Sequence, residues 1–330
     1  MAVDDSAGAF STGMRAIRQC VVLGGVALLV LLGVLSAYTV VTMRDVARQL
    51  PPPGIFIDVE GARMHYVDQG RGPVVVLIHG LGGSSRNFSP IADELAHSHR
   101  VIAIDRPGSG YSSRPPARSR ALADQASVIA TLLDQLDIES AIVVGHSLGG
   151  AVALALALDH PRTVSRLVLL APATTPVELE APLDSPMLER RWFQQLLAWT
   201  IAVPASRHFA DDTLARVFQP QPVPEDFATT DGGLLARRPG QILSTIGDLL
   251  ALNAGLEHYR SRYAQLGVPV RVIYGKEDAI LEPEVHLGAL QNVPMVSIER
   301  LPGVGHMVAH ARPERVLALI KGVMAQPGES

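Results

Sequence analysis

The chain has little cysteine, few aromatic residues and no concentration of positive charge. Cys20 is the only cysteine among 330 residues, so no internal disulfide forms. Aromatic side chains make up 5% of the residues and charged side chains 18%, the net charge is −4, and there is no basic patch of the kind that binds nucleic acid. No residues have the spacing of metal ligands, and we predict no metal and no cofactor. The composition fits one soluble domain plus an apolar anchor.

Phosphate-binding motifs are also missing from the glycine-rich stretch at 79–83. This stretch, His-Gly-Leu-Gly-Gly, follows an apolar run at 74–78 that has the pattern of a buried strand. No Gly-Lys-Ser/Thr follows it, and it lacks the Gly-x-Gly-x-x-Gly spacing of dinucleotide sites. We therefore exclude nucleotide binding and expect the glycines to let backbone amides approach a different ligand.

One long run without charge is present, at residues 21–43. As a helix it measures about 34 Å, against about 30 Å for the hydrocarbon core of a bilayer. The flanking basic residues are Arg15 and Arg18 before the run and Arg44 and Arg48 after it. A cleaved signal peptide has a shorter apolar region and small residues before its cut site. We predict a tail at 1–19, an uncleaved transmembrane helix at 20–43 and a stiff linker at 44–54, which ends in Pro-Pro-Pro-Gly.

Two arginines flank the run on each side, so the positive charges do not decide the orientation of this helix. A signal anchor keeps a short amino terminus in the cytoplasm and exports the large domain. We therefore expect a single-pass protein of the cell membrane, with the large domain on the extracytoplasmic side and the membrane as a partner through residues 20–43.

A serine stands where an apolar run gives way to a helix of small residues. Residues 141–144, Ala-Ile-Val-Val, are followed by Gly-His-Ser-Leu-Gly at 145–149 and then by an alanine- and leucine-rich stretch. A strand, a sharp turn and a helix in this order hold a serine in a strained backbone conformation that small neighbours tolerate, with its hydroxyl projecting from the edge of the sheet. Ser147 is the candidate nucleophile.

A serine hydroxyl needs a base and an acid that orients the base. Asp278 follows the strand-like run at 270–274, and His306 follows the alternating run at 296–301 on a glycine-flanked loop. Both lie after strands, where reacting groups gather in an open parallel sheet. Their chain order is that of a nucleophile-elbow hydrolase. The alternatives to Asp278 as the acid are Glu277, Glu178 and Glu180.

The oxyanion formed by such a reaction needs backbone donors. We predict the N–H of Leu148, at the start of the helix, and the N–H of Leu81, on the glycine-rich loop. His79 and His146 are interpreted as structural residues, and the Asp-Arg-Pro-Gly run at 105–108 as a tight turn rather than as chemistry.

Taken together, these motifs resemble those of the α/β-hydrolase superfamily. They are His-Gly at 79–80, Asp-Arg-Pro-Gly-Ser-Gly-Tyr-Ser at 105–112, Gly-His-Ser-Leu-Gly-Gly at 145–150, Gly-Lys-Glu-Asp at 275–278 and Gly-His at 305–306. The resemblance covers about residues 55 to 325, and Pro313 looks like the start of the family's last helix. It implies an α/β fold with a mostly parallel eight-stranded sheet flanked by helices. Ser147, Asp278 and His306 match the family's triad positions.

About a hundred residues separate the sixth predicted strand, 166–170, from the seventh, at 270–274, and this segment is too long for a simple crossover. We predict a helical cap at 174–266, inserted into a core made of 55–173 and 267–325. Its aromatic residues would line an apolar pocket or pack the cap's own small core. These residues are Trp192, Phe193, Trp199, Phe209, Phe218 and Phe227.

Dehalogenases and epoxide hydrolases of this superfamily carry aspartate where Ser147 stands, which excludes both. The residues around Ser147 look most like those of esterases and lipases, so we expect a membrane-anchored serine hydrolase that acts on a small apolar ester or lipid-like substrate. The alternatives are a carbon-carbon bond hydrolase of aromatic ring-cleavage products and a noncatalytic hydrolase-fold protein that binds a lipid or a partner. A noncatalytic protein of this fold usually lacks a triad residue, and none is missing from this sequence.

Overall fold

The computed structural model describes residues 5–115, 119–178 and 185–322. Eight strands in these ranges form one sheet. They are β1 Ile55–Val59, β2 Ala62–Gly70, β3 Val74–Ile78, β4 Arg100–Ile104, β5 Ala141–His146, β6 Val164–Leu170, β7 Val270–Gly275 and β8 Val296–Leu301. Their order across the sheet is β1-β2-β4-β3-β5-β6-β7-β8. The strands β3 to β8 are parallel to one another, and β2 pairs antiparallel with both of its neighbours, β1 and β4, which confirms the predicted mostly parallel eight-stranded sheet.

Helices connect the strands and cover the sheet. Those in the described residues are α1 Asp5–Gln49, α2 Ser89–Ala96, α3 Leu122–Gln135, α4 Leu148–Asp159, α5 Arg191–Trp199, α6 Ala202–His208, α7 Ala210–Phe218, α8 Pro239–Arg260, α9 Pro283–Gly288, α10 Val308–Ala311 and α11 Pro313–Lys321. The helices α5 to α8 lie between β6 and β7, in the segment predicted as the cap, and α11 begins at Pro313 as expected. Residues 179–184 of the predicted cap and 323–325 of the predicted core lie outside the described residues.

Helix α1 extends past both ends of the predicted membrane segment. Residues 44–49, assigned to the linker from sequence, are helical, because no proline or glycine interrupts the chain before Pro51. The part at Ile17–Gln49 is long and apolar enough to cross a membrane. Near the end of α1, Val46 and Leu50 are buried against Leu234 and Leu235.

The parallel strands form the centre of the core. Residues 75–78 of β3 and 167–170 of β6 are fully buried, as expected for strands covered on both faces by helices. In the register, Ile78 of β3 lies beside Gly145 of β5, and Gly275 of β7 lies beside Leu301 of β8. The loops that carry the candidate site residues therefore leave the sheet at the same edge.

Glycine at position 149 allows α4 to pack directly on the end of β3. A Cβ atom on Gly149 would lie 2.1 Å from the carbonyl oxygen of Ile78 and 2.5 Å from that of His79. Both atoms belong to the backbone, which has no room to move inside a packed sheet. This close approach holds the turn at Ser147 against the loop that follows β3.

We expect Gly149→Ala to destabilise the fold by about 1–3 kcal/mol, because the added methyl group overpacks this contact. Gly267→Ala is the matched control, since a Cβ there meets no atom within 4 Å. Thermal unfolding of the detergent-solubilised chain would measure both. Equal midpoints for the two variants would contradict the proposed role of Gly149.

Candidate functional site

Ser147 lies at the turn between β5 and α4 in a strained backbone conformation. Its φ and ψ angles are 55° and −122°, a region that residues with a side chain rarely adopt. Backbone hydrogen bonds hold it there. The N–H of Ser147 donates to the carbonyl oxygen of Leu170 at 3.0 Å, and its own carbonyl accepts from the N–H groups of Gly150 and Ala173 at 2.9 and 3.1 Å. The serine is therefore fixed to the end of β6 and to the first turn of α4.

His306 and Asp278 form a buried pair. Nδ1 of His306 lies 2.7 Å from Oδ2 of Asp278. The other carboxylate oxygen of Asp278 accepts the N–H groups of Ile280 and Leu281 at 2.8 and 2.9 Å. Because the carboxylate is an acceptor, we assign the ring proton to Nδ1, which leaves the Nε2 lone pair of His306 free to take a proton.

The other acidic residues considered from sequence take different places. Glu277 is exposed, and its Oε2 accepts the N–H of Val304 at 3.1 Å, so it supports the loop before His306 rather than the ring. Glu178 is exposed after β6. Glu180 lies outside the described residues. Asp278 is thus the acid that contacts His306.

His146 links the loop of His306 to the turn at Ser147. Its Nε2–H donates to the carbonyl oxygen of His306 at 3.1 Å, and the two rings are 4.8 Å apart between centroids. Burial is the main cause that lowers the pKa of His146 to about 3, so the ring is neutral. Within the described chain no hydrogen bond joins Oγ of Ser147 to His306 itself. Such bonds are often long before substrate binds, and His146 holds the two loops together.

Two backbone N–H groups lie at or beside this turn. Leu148 is the first residue of α4, and Leu81 follows the end of β3. Among the described residues, neither N–H group donates to another part of the chain. A Cβ on Gly80 would lie 3.1 Å from Cβ of Ser147, so the loop that carries Leu81 touches the serine. The predicted oxyanion donors are therefore close to Ser147.

Arg106 is a functional residue whose role the sequence did not reveal. Its guanidinium is fully buried and donates to the carbonyl oxygens of His79 and Gly80, both at 2.9 Å. Its backbone N–H donates to Nε2 of His79 at 3.0 Å, while Nδ1 of His79 bonds to the oxygen of Gly80. Burial, together with the charge of Arg106, lowers the pKa of His79 to about 3. Arg106 thus fixes the backbone that leads into Leu81, rather than only a turn.

The cap helix α8 completes this network. Oδ2 of Asp248 lies 2.7 Å from Nη1 of Arg106, and both side chains are buried. Gln241, two turns earlier on the same face of α8, accepts the N–H of Gly110 at 2.7 Å and donates to the oxygen of Gly83 at 3.3 Å. Asp248 was missed from sequence because a single carboxylate in a long helix has no local signal.

The cap also holds the loop of His306. The side chain of Gln221 donates to the oxygen of Gly303 at 2.6 Å and accepts the N–H of Gly305 at 3.2 Å. Phe218 and Phe227 are buried against Met307, the residue after His306. Both loops that position the candidate site therefore depend on the cap.

Several of the cap aromatics lie at the surface rather than in a core of the cap. Trp192 and Phe209 are more than half exposed, and Trp199 is exposed as well. Phe218 and Phe227 instead pack between the cap and the core. Sequence did not separate the two groups because the direction of each side chain depends on how its segment packs against distant parts of the chain.

No group of three or more histidine, cysteine or carboxylate side chains lies close enough to hold a metal ion in the part of the chain that the structure describes. The site as described consists of a serine, a histidine with its carboxylate partner and free backbone N–H groups. This arrangement is suited to transfer an acyl group through the serine.

Comparison with known proteins defines the class. The family model described as alpha/beta hydrolase fold matches residues 73–313, and the chain belongs to the α/β-hydrolase family. It is 31% identical, over 81% of this chain and 67% of the relative, to the dihydrolipoyllysine-residue acetyltransferase component of the acetoin cleaving system of Cupriavidus necator. It is 27% identical, over 84% of this chain and 95% of the relative, to a 2-hydroxymuconate semialdehyde hydrolase of a Pseudomonas species.

A solved structure agrees with this class. The chain superimposes on an esterase from Exiguobacterium antarcticum with a TM-score of 0.67 at 22% identity, covering 82% of this chain and 100% of the esterase. At this identity the superposition shows the fold alone. The relatives with a named activity are enzymes, and hydrolases are among them, which supports a hydrolase as the class.

We expect Asp248→Ala to lower the free energy of unfolding by about 3–5 kcal/mol, because it leaves the Arg106 guanidinium buried without its carboxylate. Glu284→Ala is the control: it breaks the exposed pair with Arg300 and should change stability little. Thermal or urea unfolding of the detergent-solubilised chain measures both changes. A loss for Asp248→Ala no larger than for the control would contradict the account of this network.

Stability should also fall as the pH falls below about 6.5. The pKa values of His79 and His146 are lowered to about 3 and that of His286 to about 4, mainly by burial. Below this pH the unfolded chain binds more protons than the folded chain. The free energy of unfolding therefore falls by up to about 1.4 kcal/mol per pH unit for each of these histidines. Unfolding midpoints at pH 7, 6 and 5 measure this slope. A constant midpoint over that range would be inconsistent with neutral buried histidines.

Proposed function

We propose that the protein is a membrane-anchored serine hydrolase that cleaves carboxylic esters of apolar acyl or aryl substrates through an acyl-enzyme on Ser147. The observation that carries the proposal is the 2.7 Å bond between His306 and Asp278 on a loop that His146 ties to the strained turn of Ser147. In this proposal Ser147 is the nucleophile, His306 the base and Asp278 the acid that orients the base.

The first half of the reaction forms the acyl-enzyme. Nε2 of His306 takes the proton of Ser147 Oγ, and Oγ bonds to the carbonyl carbon of the ester. The negative charge that develops on the carbonyl oxygen is stabilised by the N–H groups of Leu81 and Leu148. Asp278 stabilises the charged ring of His306. The carbon–oxygen bond to the alcohol then breaks, and the alcohol leaves with the proton from Nε2.

The second half restores the enzyme. Water loses a proton to Nε2 of His306 as its oxygen attacks the acyl carbon. The same backbone donors stabilise the second oxyanion. Its collapse breaks the bond to Oγ, returns the proton to Ser147 and releases the carboxylic acid.

The anchor in this proposal is α1, with the catalytic domain on the extracytoplasmic side. Its length and its exposed apolar side chains, which include Val22, Leu29 and Val34, support a membrane-spanning role. A protease added outside intact cells should digest the catalytic domain if this orientation is right. Protection of the domain until the cells are lysed would place it in the cytoplasm.

A second candidate is carbon-carbon bond hydrolysis of a ring-cleavage product. It is favoured by the similarity to the 2-hydroxymuconate semialdehyde hydrolase, which extends over 84% of this chain. Such a substrate is the enol form of a vinylogous diketone, and its hydroxyl proton must first move to carbon, which gives the keto form, before Ser147 acts. The two candidates are separated by comparing kcat/KM for p-nitrophenyl esters, from acetate to palmitate, with kcat/KM for a ring-cleavage semialdehyde. Fast turnover of the semialdehyde with little ester turnover would favour the second candidate.

Ser147→Ala should reduce kcat for p-nitrophenyl ester hydrolysis on the order of a million-fold, because the nucleophile and its base act as a unit. Ser165→Ala is the control, since Ser165 is exposed on β6 outside the site, and its kcat should stay unchanged. Ester hydrolysis by the detergent-solubilised chain measures both. Unchanged turnover in a folded Ser147→Ala variant would rule out the acyl-enzyme.

A further inference from the structure

The apolar run of α1 is longer than a bilayer requires, and this limits where the membrane surface lies. A hydrocarbon core of about 30 Å takes about 20 helical residues. About 25 uncharged residues separate Arg18 from Arg44. Wherever the core is placed between these two arginines, it ends between Tyr38 and Met43 on the side of the catalytic domain.

The cap contacts α1 near the level at which the hydrocarbon core ends. Near the end of the helix, Val46 and Leu50 pack on Leu234 and Leu235 of the cap. Two turns closer to the amino terminus, the hydroxyl of Tyr38 accepts a hydrogen bond from Nη1 of Arg207 at 3.3 Å. Arg207 belongs to α6, so this cap helix reaches the level at which the hydrocarbon core ends.

Helices α5 and α6, which both contact α1, and the residues next to the ends of α6 carry exposed apolar side chains. We call this set the cap patch. It consists of Trp192 (62% exposed), Leu196 (39%), Trp199 (36%), Ile201 (54%) and Phe209 (57%). Trp192, Leu196 and Trp199 are spaced as one face of α5. A run of exposed aromatic and aliphatic side chains on two neighbouring helices marks an interaction surface.

We propose that the cap patch is embedded in the interface of the bilayer that α1 crosses. This rests on the proposed membrane anchor and extends it by giving the catalytic domain a second, fixed contact with lipid. Tryptophan and tyrosine are the residues that favour the interface, and Trp192, Trp199 and Tyr38 all occur here. Arg190, Arg207 and His208 lie on or beside the same helices and suit the lipid headgroups.

The position of the patch favours lipid over a second copy of the chain. The patch lies on and beside helices that contact α1. It is therefore continuous with the apolar surface of α1, which the proposed anchor places in the membrane. The cap also holds the loop of His306 through Gln221. Embedding the patch therefore fixes at the bilayer the cap that holds the loop of His306, and we infer that the substrates are esters dissolved in the membrane.

The chain provides its own probe for this contact. It has two tryptophans, Trp192 and Trp199, and both belong to the cap patch. We expect the tryptophan fluorescence of the full chain, reconstituted in phosphatidylcholine and phosphatidylglycerol vesicles, to be quenched by lipids brominated near the headgroup and to resist aqueous acrylamide. Quenching by acrylamide but not by brominated lipid would overturn the proposal. Protection from both quenchers would also overturn it, in favour of a second copy on the patch.

Variants relate this contact to function. Ile201→Glu and Phe209→Glu place charge on exposed positions, where folding tolerates it. Both should weaken quenching by brominated lipid and reduce hydrolysis of a vesicle-embedded ester several-fold, with hydrolysis of p-nitrophenyl acetate unchanged. Ile55→Glu, which is equally exposed on β1, is the control and should change neither. Unchanged quenching in both cap variants would contradict the proposal.

Failure of this inference and failure of the proposed function give different experimental results. Release of the full chain from vesicles by an alkaline carbonate wash would overturn both the anchor and the patch. A chain that stays bound with unquenched tryptophans would overturn the patch alone. The Ser147→Ala variant should be quenched like the unaltered chain, so loss of the hydrolase proposal leaves this measurement intact.

Discussion

The backbone of Ser147 is the constraint on which the rest of the site depends. A positive φ at a residue with a side chain costs of order 1–3 kcal/mol and persists only where the surroundings hold it. Here the hydrogen bond to Leu170 and the contact of Gly149 with the end of β3 hold it. The same contact brings the free N–H groups of Leu81 and Leu148 to the serine. The turn, the oxyanion donors and the core packing are therefore one structural unit.

The cap acts on this unit through polar contacts rather than as a simple cover. Asp248 binds the guanidinium of Arg106, which orients the carbonyl groups before Leu81. At the other loop, Gln221 binds the backbone on both sides of Val304, just before His306. A movement of the cap would therefore shift the loop that carries Leu81 and the loop that carries His306 together. Because the cap also contacts α1, the geometry of both loops is connected to this helix.

Sequence predicts the features that local patterns encode. Apolar runs of four to six residues predicted the parallel strands. Ser147, Asp278 and His306 were predicted as site residues because they follow such runs, and the carboxyl ends of parallel strands meet at one edge of the sheet. Contacts between distant segments have no such pattern. The pair of Arg106 with Asp248 joins residues that are far apart in sequence, and the outward direction of Trp192 depends on how α5 packs on its neighbours. The start of α1 was missed because its first turns are not apolar.

The most direct test of the account is the mass of the intact chain after reaction with a fluorophosphonate, followed by peptide mapping. The account predicts one adduct on Ser147 that is absent from Ser147→Ala, because only a serine activated by His306 attacks the phosphorus. A folded chain that gains no adduct, or gains it on another residue, would contradict the assignment of Ser147 as the nucleophile and favour a noncatalytic binding protein.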